Sequence, residues 1–260
     1  TGSPEEDVSL SFACGEEVCK IGTTDQKGSF NGPLPVCEGG RMQLLKPEFE
    51  EIFVRMSPNI DHELFMGKID FEPIRIKDAQ MKKYKVQKVG GKWSVFNEPI
   101  YLKNDEIAVL QLDRVSVPGA DERVIYDDYS TVVLFNGSEE TEVRLLPGVY
   151  EGSVIGVLHE SVRIHPDKRC KDDECFWVPE TMLEMEEYPG AGAYFNNQTG
   201  FLVVDKLDLD TSIRLTFYEL FMDIPGIPEH ERVIEDLGAM GMVEEKSREY
   251  NDYLQIVYEK

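Results

Sequence analysis

Residues 21–49 constrain the fold most strongly, because turn residues divide them into short apolar pieces. The stretch contains the turn Thr24-Asp25-Gln26-Lys27-Gly28, in which the Asp side chain can bond its own backbone and Gly supplies a positive φ. Pro33, Pro35 and the pair Gly39-Gly40 interrupt the residues that follow. This pattern predicts short β-strands joined by tight turns rather than a helix of ordinary length.

Short alternating segments separated by turn signals continue through most of the chain. They predict an all-β protein of two β-sandwich domains, of prealbumin or immunoglobulin type, with a short helical C-terminal segment. We assign the chain to a tail or cloning scar at 1–7, an N-terminal sandwich at 8–76, a second sandwich with long loops at 77–224, and the helical segment at 225–260. Apolar residues at helical spacing within 229–238 and 243–258 predict two short helices in that last segment.

The charge of the chain narrows the choice of partners. Acidic residues number 50 and basic residues 27, which gives a net charge of −23. Phosphate binding requires a basic face, so we expect no nucleic-acid partner, and an anionic membrane is disfavoured for the same reason. No apolar run is long enough to span a bilayer, so we expect no direct membrane insertion in this fragment.

The lysine-rich stretch 77–92 is the one basic segment, and it ends in a hairpin signal at Gly90-Gly91. We interpret its lysines as a solvated strand face that guards the edge of a sheet. The aromatic residues nearby are expected to contribute to the core, with an exposed binding strip as the alternative, and they are Tyr84, Trp93, Phe96 and Tyr101.

The cysteines predict disulfides. Cys14 and Cys19 flank four residues, as do Cys170 and Cys175, and a tight loop between two strands suits a short-range bridge. Zinc ligands are usually spaced more closely and in pairs of pairs, so a metal site is the weaker reading. Cys37 is the odd cysteine, and its pairing with Cys14 or with Cys19 remains an open alternative.

Two glycosylation sequons, at Asn136 and Asn197, occupy turn-like positions. Together with the paired cysteines they favour an extracellular or cell-surface location. The opening Thr-Gly-Ser without Met is typical of a cloning scar or a processed end. We therefore expect the chain to be a soluble part of a longer secreted or anchored protein.

No catalytic motif is present in the sequence. It lacks an HExxH helix, a Gly-x-Ser-x-Gly elbow and a glycine-rich phosphate loop, so we predict no catalytic and no cofactor-binding residues. A zinc role for His159 with His165 is disfavoured, because the pair lies on a predicted strand segment rather than on a helix. Calcium is the best metal option, and its weak candidates are Asp205, Asp208 and Asp210, near a strand end.

Residues Thr23 to Phe30, with Leu34-Pro35 after them, resemble the Thr-Asp-x-x-Gly-x-Phe signature of the carboxypeptidase regulatory-like domain, a transthyretin-like β-sandwich. The Leu-Pro-Gly-x-Tyr part of that signature is matched better by Leu146 to Tyr150. The overall texture is similar to surface proteins of archaea. The resemblance implies an accessory fold without catalytic residues of its own, used at cell surfaces.

We therefore expect a non-enzymatic extracellular module for cell-surface structure, adhesion or protein interaction, with a protein or a glycan as its partner. One alternative is a carboxylate-based carbohydrate-active enzyme or an accessory domain of such an enzyme. Another is a calcium-dependent adhesive domain. The sequence leaves the oligomeric state open.

Overall fold

The computed structural model describes residues 3–56, 69–70, 72–96, 98–157, 161–171, 174–184 and 190–260. The predicted all-β class is confirmed, because strands dominate these residues and helices are short. The strands are β1 (Ser9–Cys14), β2 (Glu17–Thr23), β3 (Gly40–Leu45), β4 (Ile52–Met56), β5 (Arg75–Val89), β6 (Lys92–Val95), β7 (Ile100–Tyr101), β8 (Ile107–Ser116), β9 (Val124–Tyr126), β10 (Ser130–Asn136), β11 (Thr141–Leu145), β12 (Gly148–Val157), β13 (Ser161–Ile164), β14 (Asp167–Lys171), β15 (Glu174–Val178), β16 (Thr181–Glu184), β17 (Ala191–Phe195), β18 (Leu202–Val204), β19 (Arg214–Met222) and β20 (Val257–Glu259).

The first compact unit contains residues 1–75 and 117–129. Its sheet is antiparallel, in the order β2-β1-β3-β4-β9. Alternate residues of β3 and β4 are buried, as the sequence pattern predicts for strands with one face on a core. The buried residues are Val8, Leu10, Phe12, Cys37, Met42, Leu44, Ile52, Val54, Met56 and Val124.

The predicted turn at Asp25 to Gly28 forms in the first unit. The Asp25 side chain accepts hydrogen bonds from the backbone N–H groups of Lys27 and Ser29, both at 2.9 Å. Gly28 has a φ of +66°, which a residue with a side chain adopts only at a cost. Phe30 then packs against the core of the unit.

One domain boundary is corrected. Residues 117–129, which the sequence analysis assigns to the second sandwich, belong to the first unit, where β9 pairs with β4. This pairing joins segments about seventy residues apart, and no local pattern encodes such a connection.

The second compact unit contains residues 76–116 and 130–260. Its main sheet follows the order β10-β8-β12-β17-β19-β5-β11, with β18, β20, β6 and β7 paired at the sides. β19 and β5 are parallel over nine residue pairs, from Arg214 opposite Asp78 to Met222 opposite Val86. Nearly every residue of β19 is buried, as is usual for a parallel strand covered on both faces.

The interpretation of the lysine-rich stretch is wrong. β5 is not an edge strand, because it lies between β19 and β11 in the sheet, and Lys83 is fully buried. Lys88 is also partnered, at 2.5 Å from the buried carboxylate of Asp236. The hairpin at Gly90-Gly91 is confirmed, since both glycines have positive φ and join β5 to β6. The aromatic group divides, with Tyr84 buried and Phe96 exposed.

The C-terminal segment is less helical than predicted. It contains 3₁₀ turns at Glu229–Glu231 and Ile234–Met242, followed by α2 (Val243–Glu249) and α3 (Asn251–Leu254), while α1 (Lys206–Thr211) lies earlier. The predicted continuation of the last helix to residue 258 is wrong, because β20 adds to β19 there. Strand pairing has overridden a weak helical period.

Within the described ranges, no helix is both long and apolar enough to cross a membrane.

Candidate functional site

Among the residues that the structure describes, a hairpin in the second unit carries the most exposed aromatic side chains. β14 and β15 pair in antiparallel fashion, with Cys170 opposite Cys175 and Lys168 opposite Trp177. The predicted bridge between these two cysteines is formed, with their Cα atoms 4.0 Å apart. The disulfide therefore clamps the two strands of the hairpin across the ladder.

The clamped hairpin exposes two large aromatic side chains. Trp177 is 69% exposed and its neighbour Phe176 is 56% exposed. Adjacent residues of a strand point to opposite faces, so the hairpin offers one aromatic ring on each side. Aromatic rings of this size are the side chains that contribute most to protein interfaces when they become buried.

The second disulfide closes the first unit. Cys14 bonds to Cys37, which was one of the two open pairings, and Cys19 is free and exposed. The short-range Cys14–Cys19 bridge is wrong, because the register sets Cys14 opposite Glu17 rather than opposite Cys19. The bridge ties the end of β1 to the loop before β3.

The aspartates predicted as weak calcium ligands each take part in another interaction. Asp205 caps α1, where its Oδ1 accepts from the N–H groups of Leu207 at 2.8 Å and Asp208 at 3.2 Å. Asp210 lies 4.0 Å from Lys206 of the same helix. Within the described residues, no three acidic, histidine or cysteine side chains are grouped so as to hold a metal ion. His159 lies outside the described residues.

The sequon residues Asn136 and Asn197 are both exposed, as glycosylation requires, and glycosylation itself stays a prediction.

The Leu146–Tyr150 motif has a structural role. The hydroxyl of buried Tyr150 donates to the carbonyl of Leu146 at 2.7 Å and accepts from its N–H at 3.3 Å. This bond fixes the entry of the chain into β12.

A polar cavity of about 250 Å³ lies beside the β5–β6 hairpin. Two carboxylates, Asp223 and Glu231, line it. The Asp223 carboxylate already accepts hydrogen bonds from Gln87 at 2.8 Å and from the backbone N–H of Gly226 at 3.1 Å. Its oxygens are committed to the protein's own groups, which disfavours a role as a general acid or base.

A buried cluster of three charged-type side chains lies within the second unit. Lys83 on β5 is fully buried, and its Nζ lies 2.5 and 2.6 Å from the two carboxylate oxygens of Glu106. The Glu106 side chain also accepts the backbone N–H of Lys103 at 2.8 Å. Glu219 lies directly opposite Lys83 on β19. We call these three residues, Lys83, Glu106 and Glu219, the buried triad.

Glu219 is the unpaired member of the buried triad. Burial raises its pKa to about 8, Lys83 lowers it and Glu106 raises it again. At neutral pH it is therefore mostly protonated and uncharged. Its Oε2 is fully buried and has no hydrogen-bond partner among the described residues. The absence of a side chain at Gly156 makes room for it, because a Cβ there would lie 2.6 Å from that oxygen.

Sequence reasoning missed the buried triad. A signal was present, since Glu219 is the one charged residue in the run Phe217 to Met222, whose other members are aromatic or aliphatic. A single acidic residue inside a buried strand requires a partner or a proton. The partner could not be found from the sequence, because Lys83 lies within a row of lysines and is distant along the chain.

Comparison of the chain with protein-family models found no matching family. Searches of curated proteins and of solved structures also found no match. The resemblance to the carboxypeptidase regulatory-like domain therefore stays a prediction.

Proposed function

We propose that the protein is a non-enzymatic extracellular module of two β-sandwich units that serves cell-surface structure or protein interaction. The observation that best supports this proposal is the hairpin β14–β15, which is closed by a disulfide and exposes Phe176 and Trp177. Disulfides persist in oxidising compartments outside the cytosol, which supports the extracellular setting. The rigid backbone reduces the entropy lost when the aromatic rings become buried against a partner.

The two alternatives have less support. The cavity beside the β5–β6 hairpin has an Asp223 carboxylate that is already hydrogen-bonded, which disfavours glycoside chemistry. The aspartates suggested for calcium cap a helix or lie near lysines.

The contact role is tested with fluorescently labelled protein and intact cells of the source organism, by flow cytometry. Trp177→Ser should weaken binding about thirtyfold or more, the effect of removing an interface hot spot. Leu134→Ser is the matched control, since Leu134 is 58% exposed on β10 and should be dispensable. Equal binding by wild type and Trp177→Ser would refute the proposed contact surface.

The location is tested separately. Full-length protein in intact cells should react with a non-permeating biotinylation reagent. Alkylation of the denatured, unreduced protein should add one label, on Cys19, and prior reduction should raise the number to five. Five labels without reduction would show that the disulfides do not form in the cell, and would contradict the extracellular setting.

A further inference from the structure

The contact between Lys83 and Glu106 has an unusual geometry for a salt bridge. The Lys83 Nζ lies almost equidistant from both carboxylate oxygens, at 2.5 and 2.6 Å, so it lies next to the carbon that joins them. Both side chains are at least 98% buried. The amine and the carboxyl are therefore held together, away from water.

Burial makes a pair of charges costly to hold. An ion pair buried this deeply loses several kcal/mol of hydration free energy per ion, and attraction recovers this only partly. The Lys83 Nζ also lies over the Phe221 ring, 4.2 Å from its centroid, a cation–π contact that offsets part of this cost while the lysine is charged. Proximity of the reacting atoms and exclusion of water both lower the barrier to a reaction between an amine and a carboxyl.

We propose that Lys83 and Glu106 condense into an intramolecular amide between Nζ and Cδ, with Glu219 relaying the proton. The cross-link would join β5 to the turn that precedes β8. It is independent of the contact function proposed for the hairpin, and it is a single self-modification without turnover.

The reaction balances without an outside reagent. A proton first passes from the Lys83 ammonium to the Glu106 carboxylate along their hydrogen bond, which leaves a neutral amine and a carboxylic acid. The nitrogen lone pair then forms a bond to Cδ. The Glu219 carboxyl, whose Oε2 has no hydrogen-bond partner among the described residues, has to turn toward the pair. It then donates its proton to the departing hydroxyl and takes one from the nitrogen, so it ends unchanged. The C–O bond breaks, and one water molecule leaves.

Other groups of the site fit these steps. The carbonyl oxygen that gains charge during the attack is suited to accept the backbone N–H of Lys103, which already lies 2.8 Å from Glu106 Oε2. The Glu106 carboxyl has to turn its face toward the nitrogen, and its terminal torsion is a soft rotor. The backbone carbonyl of Glu106 accepts from the N–H of Gly137 at 2.8 Å, which holds the turn in place.

The test is the intact mass of the purified wild-type protein after reduction and unfolding. Reduction restores the hydrogens lost at the two disulfides, so any remaining deficit has another origin. The expected mass is lower than the sequence mass by one water molecule. Peptide mapping should then yield one branched peptide that joins the segments around Lys83 and Glu106. A full sequence mass, or a deficit located in other residues, would overturn the proposal.

Glu219→Gln tests the role of the relay. Glutamine reproduces the neutral form of Glu219 and should keep the fold, which circular dichroism checks, but it cannot exchange a carboxyl proton. The variant should retain the full sequence mass. Lys83→Met serves as the second variant, since it lacks the nitrogen and should show no deficit even if it folds poorly. A deficit of one water in folded Glu219→Gln, equal to that of wild type, would exclude the relay.

Discussion

Replacement of Glu219 by Gln should change how stability depends on pH. In the folded protein burial raises the pKa of Glu219 from its ordinary value of 4.5 to about 8. Between these values the folded state holds a proton that the unfolded state has released, so the free energy of unfolding falls as pH rises. The contribution of this group is complete below pH 4.5 and is lost through pH 8.

The magnitude follows from the same two values. Each unit of pKa difference corresponds to about 1.4 kcal/mol, so the whole effect of the Glu219 shift is about 5 kcal/mol. From pH 5 to pH 8 the linkage integrates to a loss of about 3 to 4 kcal/mol. Glutamine carries no proton to lose, so wild type should lose that much stability relative to Glu219→Gln over this range. The sign holds with or without the proposed amide, because burial is the largest cause of the shift.

The assay is urea unfolding of both proteins at pH 5, 6, 7 and 8, at constant ionic strength and with disulfides intact. Both tryptophans, Trp93 and Trp177, belong to the second unit, so their fluorescence reports the unit that contains Glu219. Glu142→Gln, at an exposed position on β11, controls for the removal of one acidic side chain. A difference between wild type and Glu219→Gln that stays constant from pH 5 to pH 8 would refute the assignment of a buried neutral carboxyl.

Three further predictions concern stability. Tyr150→Phe should destabilise the second unit by about 1 to 3 kcal/mol in urea unfolding, because its hydroxyl is buried and pairs with backbone groups that would lose their partner; an unchanged midpoint would contradict this. Replacing Cys14 and Cys37 together by Ser should cost about 3 kcal/mol, since their bridge closes a loop of 23 residues; calorimetry checks it, with Cys19→Ser as the control. Gly156→Ala should cost about 1 to 3 kcal/mol through overpacking, since its new Cβ would lie 2.6 Å from a carboxyl oxygen and from another Cβ; a thermal melt equal to wild type would show that the site is looser than described.

Local features were the part of the fold that the sequence could predict. The Asp25 turn forms because the short side chain of Asp25 accepts backbone hydrogen bonds and Gly28, three positions later, adopts a positive φ. The Gly90-Gly91 hairpin forms for the same kind of reason. The bridge between Cys170 and Cys175 follows from a loop short enough to set the two residues opposite each other. Each of these needs only neighbouring residues.

Features that depend on distant pairing could not be predicted. The segment 117–129 joins the first unit only through pairing of β9 with β4. The sequence of β20 has the apolar spacing of a helix, and it forms a strand because it pairs with β19. Lys83 is buried because β19 pairs with β5 in parallel register. Parallel strands are not joined by a hairpin, so no turn residues mark the pairing in the sequence. The lysine pattern would look the same in an edge strand and in a central strand, so it could not distinguish the two positions.

The buried triad gives the parallel pairing a register that its apolar residues do not. Nearly all of β19 is buried on both faces, so a slip by one residue along β5 would exchange one apolar face for another at little cost. The same slip would place Lys83 and Glu219 on opposite faces of the sheet. If β5 is the strand that moves, the slip also separates Lys83 from Glu106 and leaves charges buried without a partner, at a cost of about 3 to 5 kcal/mol. The triad therefore contributes more to the choice of one register between β5 and β19 than to the stability of that register.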